Sequence, residues 1–382
     1  MPPNNVRKLL DEIESDVLRS LRDVSNLSSK EDKQDYFARQ RKLAIERNRI
    51  YIRENIELLK KNSVEGNTID IGNIKPYIEL VDDLEGTRTF KLYRFLSTYP
   101  FTEPAGRRIK FFIRDGGHKK SPIMGIACLS SPVMNLGVRD KYIGWTPGDP
   151  IKYARLKNTV ELSCAVAIPP YNLLCVGKLI ALLALSSDLV AHYGLKYRDP
   201  NSYVLVLASG LYGKNCTLFK RLTLEGHKLY SYIGDTKGFT HIHIDPLLYD
   251  KIEKVADLSA IRLLRGSGFL TSRRLKNIET VFYHMKTPYR KLLMLPLTKA
   301  IFAAPVAFNF RGYLLGTDKK ANHRMCTAAS LISLWKDRWM NMRKENAMVA
   351  ESIKRFSIES HYKSLGLLQN EPGQAAYQAD VG

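Results

Sequence analysis

Apolar residues recur at helical spacing near the start of the chain. They form two series separated by a polar stretch that contains Ser28 and Ser29, either of which can cap a following helix. The two series are Leu9, Leu10, Ile13 and Val17, then Ile45, Ile52, Ile56 and Leu59. This spacing predicts two charged helices with a break between them. We expect the second to pack on the domain that follows, with nucleic-acid binding as the alternative.

Beyond about Ile74 the pattern changes to short β-rich runs separated by turn residues. The runs predicted to form one mixed sheet are Arg108–Asp115, Pro122–Leu129, Glu161–Ile168 and Tyr203–Ser209. An apolar pattern from Gly177 to about His192 predicts a helix against one face of this sheet. Further strands are expected at GFTHIHI and LLMLPL, and a short helix around Cys216–Arg221. The predicted fold class is therefore α/β.

The order of the predicted elements is that of acyltransferases of the GNAT type, which is an analogy at the level of the fold. We therefore expect a GNAT-like core sheet. The predicted segments are residues 1–64 as an N-terminal helical region, 65–246 as the α/β core, 247–345 as a basic helical and strand extension, and 346–382 as a helix end and disordered tail. The tail is expected to be disordered because it is polar and rich in Gln and Gly.

The charge balance indicates a polyanionic partner. Lys and Arg number 59 against 38 Asp and Glu, which gives a formal net charge of +21. Such an excess favours DNA or RNA over a membrane surface. No apolar run reaches the length of a transmembrane helix, and the first residues lack the apolar core of a signal peptide. We expect a cytoplasmic protein, and the five cysteines, with no CxxC pair, indicate neither a zinc cluster nor a disulfide framework.

The positive charge is concentrated between Ile261 and Ala300, where Glu279 is the only acid. Aromatic residues are interleaved with the cations and can stack on exposed bases; they are Phe269, Phe282, Tyr283 and Tyr289. The cations that we predict to contact nucleic acid are Arg262, Arg265, Arg273, Arg274, Lys276, Arg290 and Lys291. The alternative is a solvated basic face with core aromatics.

A second candidate site surrounds the segment GVRDKYIGW. In the expected extended loop, Arg139 and Asp140 point to opposite faces and are not expected to pair. Arg139 could clamp an anion and Asp140 could act as a base, with Ser130 facing the same cleft. Trp145 and Asn172 are expected to line that cleft as ligand-binding residues. The alternative is that Arg139 and Asp140 make only structural hydrogen bonds.

The segment that begins at Tyr232 offers two weaker candidates. Gly234, Thr236 and Gly238 form a glycine-rich turn whose backbone N–H groups could approach a ligand, although an ordinary hairpin has the same pattern. The alternate residues His241, His243 and Asp245 would share one strand face and could bind a divalent metal. Three ligands on one strand lie nearly in line, so we expect no metal there and a polar strand face instead.

No cofactor is identified from the sequence. In the GNAT type, a Gly-containing loop after the central strand holds a pyrophosphate on backbone N–H groups. The corresponding loop here is PPYNLLCVGKL, in which Leu174 and Leu179 stand where that type has a polar and a small residue. We therefore do not expect acetyl-CoA to bind.

Several distinct motifs follow one another along the chain. They are GRRIKFFIRD from Gly106, PIMGIACLSSP from Pro122, RDKYIGW from Arg139, NLLCVGKLIALL from Asn172, YIGDTKGFTHIHI from Tyr232, RGSG at Arg265, RKLLMLPLTKAI from Arg290 and LISLWKDRWMNMR from Leu331. In order and spacing this set, from roughly Phe90 to Arg343, resembles the DruA-type proteins of Druantia anti-phage defence systems. The resemblance implies a defence component that works beside other subunits, such as a helicase-like protein.

Three classes of function follow from these patterns. The first is a defence subunit that binds foreign nucleic acid, DNA above all, through a basic surface. The second is a GNAT-like enzyme that modifies DNA or transfers an acyl group. The third is a mobile-element accessory protein that binds DNA ends. An acid or Arg cluster in one closed cleft would favour the second class, and a flat basic face would favour the other two.

Overall fold

The computed structural model describes residues 4–25, 27, 29–98, 106–236, 246–264, 271–284 and 298–368. Within these ranges a seven-stranded mixed sheet forms the centre of the molecule. Its strands are β1 (Pro76–Leu80), β2 (Arg108–Asp115), β3 (Ile123–Ser130), β4 (Thr159–Ala167), β5 (Leu205–Gly210), β6 (Ser231–Asp235) and β7 (Ala300–Pro305). A separate short ladder pairs Thr223–Leu224 with His227–Lys228.

The helices surround this sheet. They are α1 (Asn4–Ser25), α2 (Lys30–Arg47), α3 (Arg49–Lys61), α4 (Leu84–Tyr93), α5 (Gly137–Ile143), α6 (Pro150–Arg155), α7 (Val176–Leu183), α8 (Ser187–Tyr197), α9 (Thr217–Lys220), α10 (Pro246–Leu258), α11 (Thr271–His284), α12 (Phe310–Leu315), α13 (Ala328–Trp335), α14 (Asn341–Lys344), α15 (Ala347–Lys354) and α16 (Ile358–Ser364). None of the helices within the described ranges is long and apolar enough to cross a membrane singly; α7 and α8 pass that test only as a pair bent by 51°.

The strand order is β1-β2-β3-β4-β5-β7-β6. Strands β1 to β4 are antiparallel neighbours, β4 and β5 run parallel, and β7 pairs antiparallel with both β5 and β6. The α/β class and the four strands predicted to form one mixed sheet are therefore confirmed. The predicted strands GFTHIHI and LLMLPL lie outside the described residues.

The predicted helix from Gly177 to about His192 is present as two helices, α7 and α8. The first helix ends at Leu183, and Ser186 caps the second, because its side chain accepts a hydrogen bond from the backbone N–H of Leu189. A serine inside an apolar run is a helix start signal as well as a core residue. Similarly, Ser29 caps α2 through a reciprocal capping box with Asp32, which confirms the predicted break after α1.

The two faces of the sheet are covered differently. One face packs continuously on α7, α8 and α13, with Leu179, Tyr193 and Trp335 fully or almost fully buried. The other face is covered by two separate clusters. Helices α3, α4 and α16 cover β2, β3 and the later part of β4, and α5, α6 and α12 cover β5 and β7. The first half of β4 lies between these two groups of helices. The candidate site is on this part of the sheet face.

Helices from both ends of the sequence meet in a further hydrophobic cluster. It joins α1 and the start of α2 to α10 and α11, with Ile13, Phe37, Ile252 and Phe282 buried together. Lys251 of α10 also forms ion pairs with Asp16 and Glu12 of α1. The sequence between β6 and β7, which are neighbours in the sheet, thus includes helices that pack on the N-terminal helix.

The helical stretch from Ala328 to Lys344 contains one wide turn, which changes the face that it buries. Residues Lys336–Met340 form a π-helical turn between α13 and α14. A π turn adds one residue per turn and so rotates the positions that follow it. Met340 is therefore buried, whereas Met342 is 63 % exposed. Both Trp335 and Trp339 are buried, so neither ring is free to stack on a base.

Gly66 is a position where the fold requires glycine. A Cβ atom built on Gly66 would lie 1.7 Å from the carbonyl oxygen of Ile353, and the Gly66 N–H donates to the carbonyl of Phe356. We expect Gly66→Ala to displace α15 and α16 and to lower the free energy of unfolding by about 1–3 kcal/mol or more. Urea denaturation measures this change. Gly137→Ala is the matched control, because a Cβ there meets nothing within 4 Å, and an equal loss in both variants would contradict the argument.

Candidate functional site

Three polar side chains share the sheet face between the two helical coverings. Ser130 of β3 is paired directly with Glu161 of β4, and Glu161 is paired with Leu207 of β5. Side chains of paired residues point to the same face, as does Ser209, two positions after Leu207. The hydroxyl of Ser209 donates a hydrogen bond to Oε1 of Glu161 at 3.2 Å. Ser130 is buried, and its hydroxyl has no hydrogen-bond partner within the described residues.

Glu161 lies where the two parallel strands separate. Strands β4 and β5 pair from Thr159 and Leu205 to Leu162 and Ala208, and β4 then continues to Ala167 without further pairing to β5. The register with β3 shifts at Ser163, whose hydroxyl donates to the carbonyl of Cys128 at 3.2 Å. A bulge of this kind bends a strand away from its neighbour. The carboxyl group of Glu161 is therefore held at the mouth of a fork in the sheet.

The surroundings of Glu161 favour its protonated form. Burial raises the pKa of the Glu161 carboxyl, while Lys299, the hydrogen bond from Ser209 and Arg139 lower it in part. A raised pKa makes a carboxylate a stronger base than that of an ordinary exposed glutamate, a property that is useful in proton transfer. Raised pKa values of this kind are found both at functional sites and in structural ion networks.

Arg139 and Asp140 do pair with each other, contrary to the expectation from sequence. The segment is helix α5 rather than an extended loop, so adjacent side chains are not directed to opposite faces. Nε and Nη2 of Arg139 donate to Oδ1 of Asp140 at 2.8 and 2.6 Å. Nη1 and Nη2 also donate to the carbonyls of Val133 and Met134. Oδ2 of Asp140 accepts from Lys152 of α6 at 2.7 Å.

This network fixes the loop that leaves β3. Arg139 is fully buried, and Lys152 is nearly so. Their hydrogen bonds tie the residues after Ser130 to α5 and α6. Arg139 contributes positive potential at Glu161 but directs its hydrogen bonds to protein groups. The geometry therefore favours a positioning role for Arg139 and Asp140, which the sequence left open.

The expected cleft of Ser130, Trp145 and Asn172 is not formed. Trp145 is buried, its indole N–H donates to the carbonyl of Leu314, and the Arg139 guanidinium lies 5.6 Å from its ring centroid. Asn172 is exposed in the turn after the far end of β4. Extended backbone rises about 3.3 Å per residue, so roughly 20 Å of strand separates Asn172 from the Glu161 end. Ser130 pairs with Glu161 near the start of β4, whereas Asn172 lies in the turn that follows the end of β4. The two residues are therefore at opposite ends of that strand.

The glycine-rich segment has a packing role where it is described. Gly234 has φ +136° in β6, and a Cβ there would lie 3.0 Å from the Val138 side chain of α5. Thr236 and Lys299 exchange two hydrogen bonds that close the β6–β7 ladder. Gly238, His241, His243 and Asp245 lie outside the described residues. The residues that are described contain no group of three or more His, Cys, Asp or Glu placed to hold a metal ion.

The predicted basic surface is described in part. Arg262 and Lys276 are exposed, while Arg273 and Arg274 lie in the first turn of α11. Arg265, Arg290 and Lys291 lie outside the described residues. On α11 the apolar side packs into the helical cluster through Ile278, Val281 and Phe282, while Tyr283 is 70 % exposed.

Sequence reasoning missed Glu161, Ser209 and Lys299 as site residues. The available signal was a single carboxyl group inside an otherwise apolar run, because Glu161 begins ELSCAVAI. A lone acid at a strand end is usually solvated, and only the strand register shows that Ser130 and Ser209 share its face. Lys152 was missed because its role depends on α6 packing beside α5.

The fold and this site define a mixed α/β protein with a polar cluster at the fork of its parallel strands. The family model described as "Druantia protein DruA" matches residues 27–316, a range that includes every strand of the central sheet, and the chain belongs to that family. The Druantia protein DruA of Escherichia coli (strain UMEA 4076-1) is 30 % identical over 203 residues, 50 % of this chain and 49 % of that protein. The chain thus spans about half the length of this curated relative. No solved structure matches the chain.

Proposed function

We propose that this protein is a component of a Druantia-type anti-phage defence system and binds DNA through a basic surface. The observation that carries this proposal is that α11 is buried on one side and exposed on the other. Its inner side is anchored in a hydrophobic cluster, while Lys276 and Tyr283 face solvent. The helix belongs to the stretch from Ile261 to Ala300, in which Glu279 is the only acid among nine Lys and Arg. Lys and Arg at successive positions bind phosphates by neutralising them and releasing counterions.

Family membership supports the same proposal. A protein of this family with a net charge of +21 and a helix anchored on one side is suited to recognise foreign nucleic acid. In this proposal the protein works in the cytoplasm beside other subunits of the system, one of them helicase-like. The chain spans only half of the curated relative, so these partners belong to the proposal.

The proposal includes a GNAT-like scaffold. The strand order β1-β2-β3-β4-β5-β7-β6, with β4 and β5 parallel, supports it. The start of α7, where a pyrophosphate would be expected, is covered by protein groups. A Cβ on Gly177 would lie 3.2 Å from the Leu218 side chain, and Lys178 donates to the carbonyl of Thr217. This covering argues that the scaffold serves a purpose other than holding acetyl-CoA.

The test is to replace Arg273, Arg274 and Lys276 together with Ala. We expect weaker binding to duplex DNA of any sequence, because phosphate contacts carry no sequence information. If all three contact phosphates, the slope of log affinity against log salt should become shallower by about 2.7. Fluorescence anisotropy at several salt concentrations measures both quantities.

The matched control removes three exposed cations elsewhere. Lys354 ends α15, Arg355 directly follows it and Lys363 lies on α16, and replacing these three residues with Ala gives the same loss of net charge. We expect the control to bind nearly as tightly as wild type. Equal affinity of the α11 variant and wild type at physiological salt, in folded protein, would rule out this surface. A preference of the wild type for DNA ends would instead favour a mobile-element accessory protein.

A second candidate function is a DNA-modifying or acyl-transferring enzyme. The observation that favours it is the hydrogen-bonded pair of Glu161 and Ser209 at the strand fork. The hydroxyl of Ser130 lies on the same face and has no hydrogen-bond partner among the residues that the structure describes. A carboxyl group beside hydroxyls on a sheet can act as a general acid or base. The two candidates are compatible, since a DNA-binding protein can also act on its DNA.

A further inference from the structure

The segment from Val306 to Met325, which we call the platform loop, presents an aromatic ring to solvent. Phe308 is 66 % exposed although it follows directly on the buried strand β7. Its position is fixed by backbone pairing, because the Phe308 N–H donates to the carbonyl of Asn322 and the Arg324 N–H donates to the carbonyl of Val306, both at 2.8 Å. The ring is therefore held outward by the backbone rather than left on a loose turn.

Arg324 lies against this ring. The guanidinium carbon of Arg324 is 5.0 Å from the centroid of Phe308, and Nε of Arg324 is buried without a hydrogen-bond partner in the described structure. A cation over a phenyl face is attracted to the ring and so helps to hold it in place. Since Arg324 takes up part of the ring, the exposed remainder of Phe308 is the surface that a planar ligand can reach.

The charges around Phe308 favour an anionic ligand. The platform loop contains Arg311, Lys319, Lys320 and Arg324 against Asp318 alone, four positive charges and one negative, a net of +3. Arg311, Lys319 and Lys320 are exposed, and the ion pairs of the described structure include none of them. Arg311 lies over the rings of Tyr142 and Phe310 and donates one hydrogen bond to the carbonyl of Tyr142, which leaves its other N–H groups for a ligand. Oδ2 of Asp318 accepts a hydrogen bond from Asn309 at 2.9 Å, so that acid is engaged within the loop.

We propose that the platform loop binds single-stranded DNA, with an unpaired base stacked on Phe308 and phosphates held by Arg311, Lys319 and Lys320. An exposed ring in a loop with exposed cations matches the chemistry of a base on its phosphate backbone. A duplex offers phosphates but keeps its bases stacked internally, so it cannot use Phe308. This inference rests on the proposed DNA binding and specifies the state of the strand that this surface takes.

The experiment measures binding of a fluorescein-labelled oligothymidylate and of a labelled duplex to wild type, Phe308→Ala and Phe308→Trp. We expect Phe308→Ala to weaken binding of the oligothymidylate by about 10- to 100-fold, the range found when one stacking ring is removed. Binding of the duplex should not change. Phe308→Trp should retain affinity, and its indole fluorescence should be quenched by the stacked base.

The salt dependence separates stacking from charge. Phe308→Ala should leave the slope of log affinity against log salt unchanged, because phenylalanine displaces no counterion. Lys319→Ala with Lys320→Ala should make that slope shallower by about 1.4 for a single strand. Leu195→Ala, which removes another exposed apolar side chain, is the control and should bind as wild type.

The possible results distinguish failure of the platform proposal from failure of the proposed DNA binding. Unchanged oligothymidylate binding by Phe308→Ala, or equal weakening for single strand and duplex, overturns the platform proposal while leaving DNA binding intact. Failure of the wild type to bind either DNA overturns both the platform and the proposed function. Loss confined to the single strand supports the platform, whether or not the α11 variant also weakens duplex binding.

Discussion

Glu161→Gln is expected to abolish phage protection in cells that carry the complete defence system, if the second candidate function holds. Loss of a general acid or base slows a reaction by about 10²–10⁴-fold, and Gln keeps the size and the acceptor for Ser209. The variant should not be less stable than wild type. Burial raises the folded-state pKa of Glu161, so its ionisation destabilises the fold as pH rises above the ordinary range of a glutamate. Gln removes that destabilisation at neutral pH.

Plating efficiency of phage and thermal melts at several pH values measure these two effects. Glu345→Gln is the control. Glu345 is exposed at the end of α14, away from Glu161, so this substitution should change neither protection nor melting temperature. Full protection by the Glu161→Gln variant would remove the enzymatic candidate. A variant that loses both protection and several degrees of melting temperature would show that Glu161 has a structural role instead.

Arg139→Ala is expected to cause the largest loss of stability of any single change proposed for this protein. It removes the donors to the carbonyls of Val133 and Met134 and leaves Asp140 with Lys152 as its ion-pair partner. Breaking a buried ion pair by removing one partner costs about 3–5 kcal/mol. Urea denaturation should show this loss, and Asp140→Ala should show a comparable one.

Arg355→Ala provides the comparison for Arg139→Ala. Arg355 pairs with Glu351 on the surface, so its loss should cost at most about 1 kcal/mol. If Arg139→Ala unfolds at the urea concentration of wild type and yet loses protection, Arg139 acts on a ligand rather than on the fold. That result would restore the catalytic role that the sequence suggested for Arg139 and Asp140.

The parts of the fold that sequence predicted are those in which local pattern and burial agree. Strand β3 is buried at every position, and its run of apolar residues is bounded by turn signals. Strand β7, AIFAAP, was missed because alanine favours strands weakly, and its burial comes from lying between β5 and β6. Strand β1 was missed because it is short and begins with Pro76.

The site was less predictable than the sheet because its residues meet through register and packing. The Arg139–Asp140 pair was identified, but its conformation was not, since GVRDKYI has Gly at its start and lacks a strong helix pattern. Glu161, Ser130 and Ser209 belong to three strands and share a face only because of the β3–β4 and β4–β5 registers. No local signal sets those registers.

The two hydrogen bonds between Thr236 and Lys299 have a consequence for how this architecture can vary. They join the two points at which the chain leaves and re-enters the sheet, so those points stay one strand spacing apart, about 4.8 Å, whatever lies between them. A segment of another length or composition could therefore be exchanged there without moving a sheet strand. Such a graft would leave the polar cluster at the strand fork unchanged.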